Sequence, residues 1–525
     1  MRRGALLVAA CALAATAAPA AAAIPAPGVP TANHRAGHPA NRIAPGFTLK
    51  LVARGSDPLE NPSGLITRFG YLNDGSTQPV EPTKTEPDQN TYLVFNHGLP
   101  GPARGYDYGT HFLFQPHELF EGDLAYVTRI NLDVTDPAHR ITLLTPVGND
   151  GLTHLNSLDG STWDPFTHTL LATQENDNLS APIQLSMGWP AKRTTLEAIG
   201  RGGYEGVHPD DHGNLILAED VGGTEVSVDP SNPDAPVVAK QPNSFIYRFV
   251  PKDRSDLTKG GRLQALQVSI HGHAVRFHAN DPSGDVFSQD RLRLHTLGTS
   301  WPARWITIHD TATDGTAPFD ANALAKAAGA TPFERPENLQ FRPGSGFHTF
   351  VFAATGDTNA DAGGVPALAA RGSWGSLFTV HIGDSGRGRI SILALGDAAH
   401  AGFDNLAFAD ANTLLAAEDR GDTLHAQLNT LDSLWAYDMR NPAHPVRFIA
   451  EGRDPAAQHD AALSDAGTPG FQNEGNNEVT GVHVSSGSPF VAGMQGRIGA
   501  TSNARWFFTQ QHGKNRLWEI LPETP

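Results

Sequence analysis

The chain has 525 residues, with 38 Lys+Arg against 55 Asp+Glu and a single cysteine. A net charge of −17 argues against general nucleic-acid binding, which relies on a basic surface that displaces counterions. One cysteine excludes a disulfide framework, a zinc finger and a thiolate-held iron–sulfur cluster, and 54 Gly with 39 Pro favour frequent turns over long helical bundles.

Residues 1–23 carry Arg2-Arg3, an apolar run over 4–15 and an Ala-rich stretch ending Ala21-Ala22-Ala23. That order of regions is expected of a secretory signal peptide, so the protein is expected to be periplasmic or secreted. Val8-Ala9-Ala10-Cys11 offers lipoprotein anchoring at Cys11 as the alternative. The twin arginine leaves the export route open between two systems. Cleavage near Ala23 leaves 36 basic against 55 acidic residues, a balance of −19. No later segment holds the roughly 18 uninterrupted apolar residues of a membrane span. Residues 24–45 are rich in Pro, Ala and Gly and read as a flexible linker.

From residue 46 onward an imperfect unit repeats. It opens with an acid in an Asp/Glu-Gly or Asp/Glu-Asn setting and continues through a turn to an apolar strand ending in acids. Copies run from Asp159-Gly160 to Glu175-Asn176, from Glu205-Gly206 to Glu219-Asp220, from Glu337-Asn338 to Asp357, and from Asp404-Asn405 to Glu418-Asp419. A fifth starts at Glu478-Val479-Thr480-Gly481. Strands centred on an aromatic follow, as in Ile246-Tyr247-Arg248-Phe249, Leu434-Trp435-Ala436-Tyr437 and Leu517-Trp518-Glu519-Ile520. An early pair comprises Tyr92-Leu93-Val94-Phe95 and Tyr126-Val127-Thr128-Arg129-Ile130. Short period-2 strands repeated at tens of residues predict an all-β fold, a β-propeller in a single domain over 46–525. Six blades are expected, with seven as the alternative and a β-sandwich array as the competing fold. Residues 252–334 break the pattern and read as an inter-blade insertion with a helix over 321–330.

The innermost strands of a propeller start at a shared channel, so Glu205, Glu337, Asp404, Glu478 and Asp159 are expected to converge. Facing carboxylates cannot all stay ionised without a counter-charge, and a hard divalent cation supplies one. Asn338, Asn405 and Asn476 add neutral oxygen donors. Glu219-Asp220, Glu418-Asp419 and Asp357 read as solvated turns, with a calcium loop over 417–422 as the alternative. The histidines of the insertion, His271, His273, His278 and His309, are not read as a zinc site.

The chain resembles the PhoX-type alkaline phosphatase family of exported β-propeller enzymes over about residues 92–521. The resemblance rests on Val94-Phe95-Asn96-His97, Asp159-Gly160-Ser161-Thr162-Trp163 to Glu175-Asn176, Gly200-Arg201 to Glu219-Asp220, Gly329-Ala330-Thr331-Pro332-Phe333 running into Arg335-Pro336-Glu337, and Glu478-Val479-Thr480-Gly481. It implies a calcium and iron cluster hydrolysing a small-molecule phosphate ester. Glu205, Glu337 and Glu478 would be metal ligands, with Glu175 and Asp404 beside them; Arg335 would contact phosphate, and Arg335 and Glu337 would be catalytic. Thr173 and Gln174 stand where the family has a metal-binding cysteine and an acid, and Gly98 stands for a glutamate. Loss of those anionic ligands favours calcium over iron. A lactonase-like hydrolase and a non-enzymatic calcium-binding propeller are the competing functions; a monomer is expected.

Overall fold

The computed structural model describes residues 26, 28, 30, 40–72, 84–119, 123–454, 478–489 and 504–523. The signal segment with Cys11, most of the linker and Asn476 lie outside the described residues. Within them the chain is all-β with a few short helices, and its sheets form a propeller-like arrangement.

Each sheet is an antiparallel meander, as expected of short strands separated by Gly, Pro, Asn and Asp turns. Thr91–Val94 and Glu86–Pro87 pair with His111–Glu118, which continues to Tyr126–Asn131 and Ile141–Leu143. Leu158–Asp164, Thr169–Gln174, Ile183–Leu185 and Arg193–Thr195 form the next sheet. Phe403–Asp410, Thr413–Glu418, Ser433–Asp438 and Val446–Ala450 form another. In the last, Val479–Ser485, Arg505–Gln510 and Arg516–Pro522 are joined by the early strand Phe47–Ala53. Arg42–Ile43, read from sequence with the linker, pairs with Val446–Ala450.

The largest sheet has ten strands. Tyr204–Pro209, Leu215–Glu219, Ile246–Pro251 and Gly261–Ile270 form one side of it; Pro336–Phe341, Thr349–Ala354, Ser376–Ile382 and Arg387–Leu395 form the other. Trp301–Asp310, from the stretch read as an insertion, pairs with both Gly261–Ile270 and Arg387–Leu395 and fuses the two sides. The helix of that stretch spans Ala321–Ala328, capped by the Asp320 carboxylate and stopped by left-handed Gly329.

The strands that start each meander touch in order. Leu158–Asp164 contacts Tyr204–Pro209, then come Pro336–Phe341, Phe403–Asp410, Val479–Ser485 and Thr91–Val94, which returns to Leu158–Asp164. Apolar side chains fill the spaces between neighbouring sheets. Trp163 meets Phe95 edge-on at 5.7 Å across the first and second sheets. Phe333, Phe352 and Phe378 interlock on the Pro336–Phe341 side of the ten-stranded sheet. Burial of such rings supplies much of the packing energy and leaves the polar strand starts to face the common centre.

Candidate metal centre

Four of the central strands break their ladders at the same point. Tyr204 pairs with Glu219 and Val207 with Leu217, so Glu205-Gly206 face a single residue. Asp159-Gly160, Glu337-Asn338 and Asp404-Asn405 occupy the same bulge in their own strands. A bulge re-aims a side chain that strict alternation would fix. The residue after the acid lies against the next strand. A Cβ on Gly160 would collide with the Glu205 carbonyl, and one on Gly206 would sit 3.0 Å from Asn338 Cα. Glycine therefore permits the close approach that gathers the acids.

A second set comes from the ends of the neighbouring strands. Glu175, Asp220 and Asp419 directly follow Gln174, Glu219 and Glu418, the residues that pair with the start of each central strand. Glu118 ends His111–Glu118 in the first sheet. The result is a cavity of about 240 Å³ lined, among the described residues, by ten carboxylates: Glu86, Asp88, Glu118, Asp159, Glu175, Glu205, Glu337, Asp404, Asp419 and Glu478. Arg335, Gly421, Gln511 and His512 complete the lining.

The acids approach one another closely. One oxygen from each of Asp159, Glu175 and Glu205 lies within 4.8 Å of the others, and the same holds for Glu205, Glu337 and Asp404. Asp88, Asp404 and Glu478 form a third such group, and Asp88, Glu118 and Asp159 a fourth, so shared members close a ring. Burial drives the carboxyl pKa values upward, reinforced by neighbouring charge. Asp88 is pushed up to about 6 and Glu337 to about 7. Glu118, Asp159, Glu175, Glu205, Asp404 and Glu478 are raised by the same causes.

Few protein cations balance this charge. Arg335, whose backbone is left-handed at φ 53°, donates Nε and Nη2 to Asp220 at 2.9 Å and sets Nη2 3.4 Å from Glu337. Burial opposes its charge, yet Asp220 and Glu337 hold its pKa raised. His512 stands between Glu86 and Glu478 at 3.5 and 3.7 Å, and burial pushes its pKa down to about 3, leaving a neutral ring. Among the described residues, the buried oxygens Glu118 Oε1 and Asp159 Oδ1 have no hydrogen-bond partner. Unpartnered buried carboxylate oxygens in an oxygen-rich cavity fit a hard cation such as calcium. The donor set fits a thiolate-bound metal poorly: the sole cysteine is Cys11. The Thr173 hydroxyl donates to the carbonyls of Gly160 and Glu205.

The structure brings Glu175, Glu205, Arg335, Glu337, Asp404 and Glu478 into one cavity, with Asp159. Glu478 arrives by another path than its sequence pattern suggests. The bulge in Val479–Ser485 falls after Thr480, so Gly481 holds the position of the other strands' acids, and Glu478 reaches in from before the strand. Asn405 donates to both Asp88 at 3.1 Å and Asp404 at 3.0 Å. Asp88, Glu86, Glu118 and His512 escaped the sequence reading, whose family comparison in the first sheet fell on Asn96, His97 and Gly98. None of those three lines the cavity. The signal for Glu118 was a strand ending in an acid, the same feature as at Glu175.

The strand-end acids are not solvated turns. Glu219 is fully buried and accepts from Tyr247 Oη at 2.8 Å, Phe245 N at 3.1 Å and Asn322 Nδ2 at 3.0 Å. Glu418 accepts from buried Arg420 at 2.8 Å and from Ala401 N and Ser433 N at 3.0 Å. Each carboxylate ties loop backbone to a strand end. Asp357 is also buried and takes the Lys240 N–H.

Fold and site together define an all-β, propeller-like protein with a polycarboxylate centre suited to hard cations. The alkaline phosphatase PhoX family matches residues 226–496, and the chain belongs to that family. No curated protein matches the chain. Among solved structures, an auxiliary nutrient binding protein from Bacteroides thetaiotaomicron is 9% identical, with 91% of this chain and 77% of that one covered and a TM-score of 0.35. The calcium structure of Trichoderma reesei Carbohydrate-Active Enzymes Family AA12 is 10% identical, covering 93% and 98%, with a TM-score of 0.29. The Dos1 propeller is 9% identical, covering 83% and 95%, with a TM-score of 0.33.

Proposed function

We propose that the protein is an exported, calcium-dependent phosphatase that hydrolyses phosphate esters at the polycarboxylate cavity. The observation that carries this reading is the convergence of ten carboxylates and Arg335, in a chain of the alkaline phosphatase PhoX family. We also propose that the sheets count as six blades, the ten-stranded sheet contributing two joined through Trp301–Asp310.

Asp159, Glu205, Glu337 and Asp404 would hold the cations from the bulges, with Asp88, Glu118, Glu175 and Glu478 around them. Bound cations would supply Lewis-acid polarisation of a phosphoryl oxygen. The protein's own part is placement and charge. Asp220 holds the Arg335 guanidinium through Nε and Nη2, which leaves Nη1 for a phosphate oxygen. Glu337 shares that guanidinium and accepts the Thr355 hydroxyl, so its carboxylate is held in place to bind a cation beside Arg335. Oxygen donors alone make calcium sufficient, without iron.

Release of p-nitrophenol from p-nitrophenyl phosphate tests the reading. Turnover should vanish on chelation and return with calcium. Failure to release phosphate under any metal condition overturns it, and turnover of a lactone instead would make the protein a lactonase-like hydrolase.

A further inference from the structure

The strand that fuses the two halves of the ten-stranded sheet creates a surface groove away from the cavity. The groove holds about 680 Å³ and is lined by Gln267, His273, Arg276, Arg304 and Arg387 among others, and among the described residues no carboxylate enters its wall. This is unusual in a chain of net charge −17.

Arg304 and Arg387 are register partners on adjacent antiparallel strands. Like charges directly opposite one another destabilise a sheet. Neither the sequence balance nor the fold demands that pairing, since a carboxylate at either position would relieve it. The Arg304 guanidinium is nevertheless fixed in place. Its Nε and Nη2 both donate to Gln267 Oε1, at 2.9 and 2.7 Å. Gln267 is itself buried, and its Nε2 donates to the Gly329 carbonyl at 2.8 Å. A buried amide thus orients an exposed arginine toward open solvent beside a second arginine. Arg276 and Arg387 are exposed, and His273 is held by Asp290 at 2.6 Å.

We propose that this groove binds a linear oligoanion bearing several phosphate groups, with Arg276, Arg304 and Arg387 as its contacts. Arginine forks match phosphate oxygens geometrically, and a ligand spanning both cross-strand guanidinium groups relieves their repulsion. The groove is a binding subsite, and the proposal stands whether or not the cavity hydrolyses phosphate esters.

Isothermal titration of the calcium-loaded protein with tripolyphosphate, with free calcium held constant by a calcium buffer in both cell and syringe, tests it. Arg304→Ala/Arg387→Ala should weaken binding by about tenfold or more for each guanidinium removed. Arg335→Ala should leave binding at the groove intact. Tripolyphosphate should raise the melting temperature of the parent and leave that of the double variant unchanged. Gln267→Met should weaken binding while Arg304 remains, because the fork loses its orientation. Equal binding by parent and double variant overturns the proposal, as does loss of binding in Arg335→Ala alone, which would place the ligand in the cavity. Sedimentation with phosphatidylglycerol vesicles without tripolyphosphate binding would also overturn it, in favour of a membrane surface.

Discussion

At the residue scale, the roles of the carboxylates divide by partner. Glu337 and Arg335 face the cavity and each other, so Glu337→Gln and Arg335→Ala should each lower kcat for phosphate release by about a hundredfold or more. Full activity in either variant would place catalysis elsewhere. Glu219 faces backbone and side-chain donors instead. Glu219→Ala would orphan three donors and should destabilise the fold by about 2–3 kcal/mol, read by denaturant unfolding, while calcium stoichiometry is retained. Sequence separated the unit's opening acids, expected at a channel, from its closing acids, but read the closing ones as solvated turns where Glu219 is fully buried. Burial decides their roles, and burial follows from which sheet packs above each strand end.

At the element scale, the bulge is the unit that builds the centre. Gly160→Ala would drive a methyl group into the Glu205 carbonyl, so it should cost about 1–3 kcal/mol of stability and weaken calcium binding measured by titration calorimetry. Unchanged binding would mean that close strand approach does not set the ligand geometry. The aromatic strands were legible because period-2 patterning and turn residues mark them locally. Four bulge acids were legible because Gly or Asn follows each. Asp88 and Glu118 were not, since Gln89 and Leu119 follow them where Gly or Asn follows the others, and the Gly481 register shift hid the different route of Glu478. Trp301–Asp310 joins strands that start far apart in sequence, at Gly261 and at Arg387, a pairing that no local pattern encodes.

At the scale of the whole molecule, charge and closure act together. Asp88 and Glu337 have folded-state pKa values of about 6 and 7, above the ordinary carboxylate range. A raised acid contributes stability that is present at low pH and lost as pH rises through its folded pKa. The metal-free protein should therefore lose stability between about pH 4.5 and 7, whereas calcium, which needs the ionised ligands, should raise the melting temperature more at pH 8 than at pH 5. A calcium effect that shrinks with rising pH would contradict this. Closure depends on Phe47–Ala53, which pairs with Arg516–Pro522 and completes the last sheet. Removal of residues 1–53 should lower the melting temperature sharply, because it opens an edge on Arg516–Pro522.

The carboxylate cavity is proposed as a calcium centre that hydrolyses phosphate esters. Metal content and phosphate release measured on the same purified sample, through chelation and calcium restoration, test it most directly. Calcium and turnover should be lost together and return together, with no iron present. Undiminished turnover in the metal-free protein, or calcium binding without turnover at any pH, would contradict it.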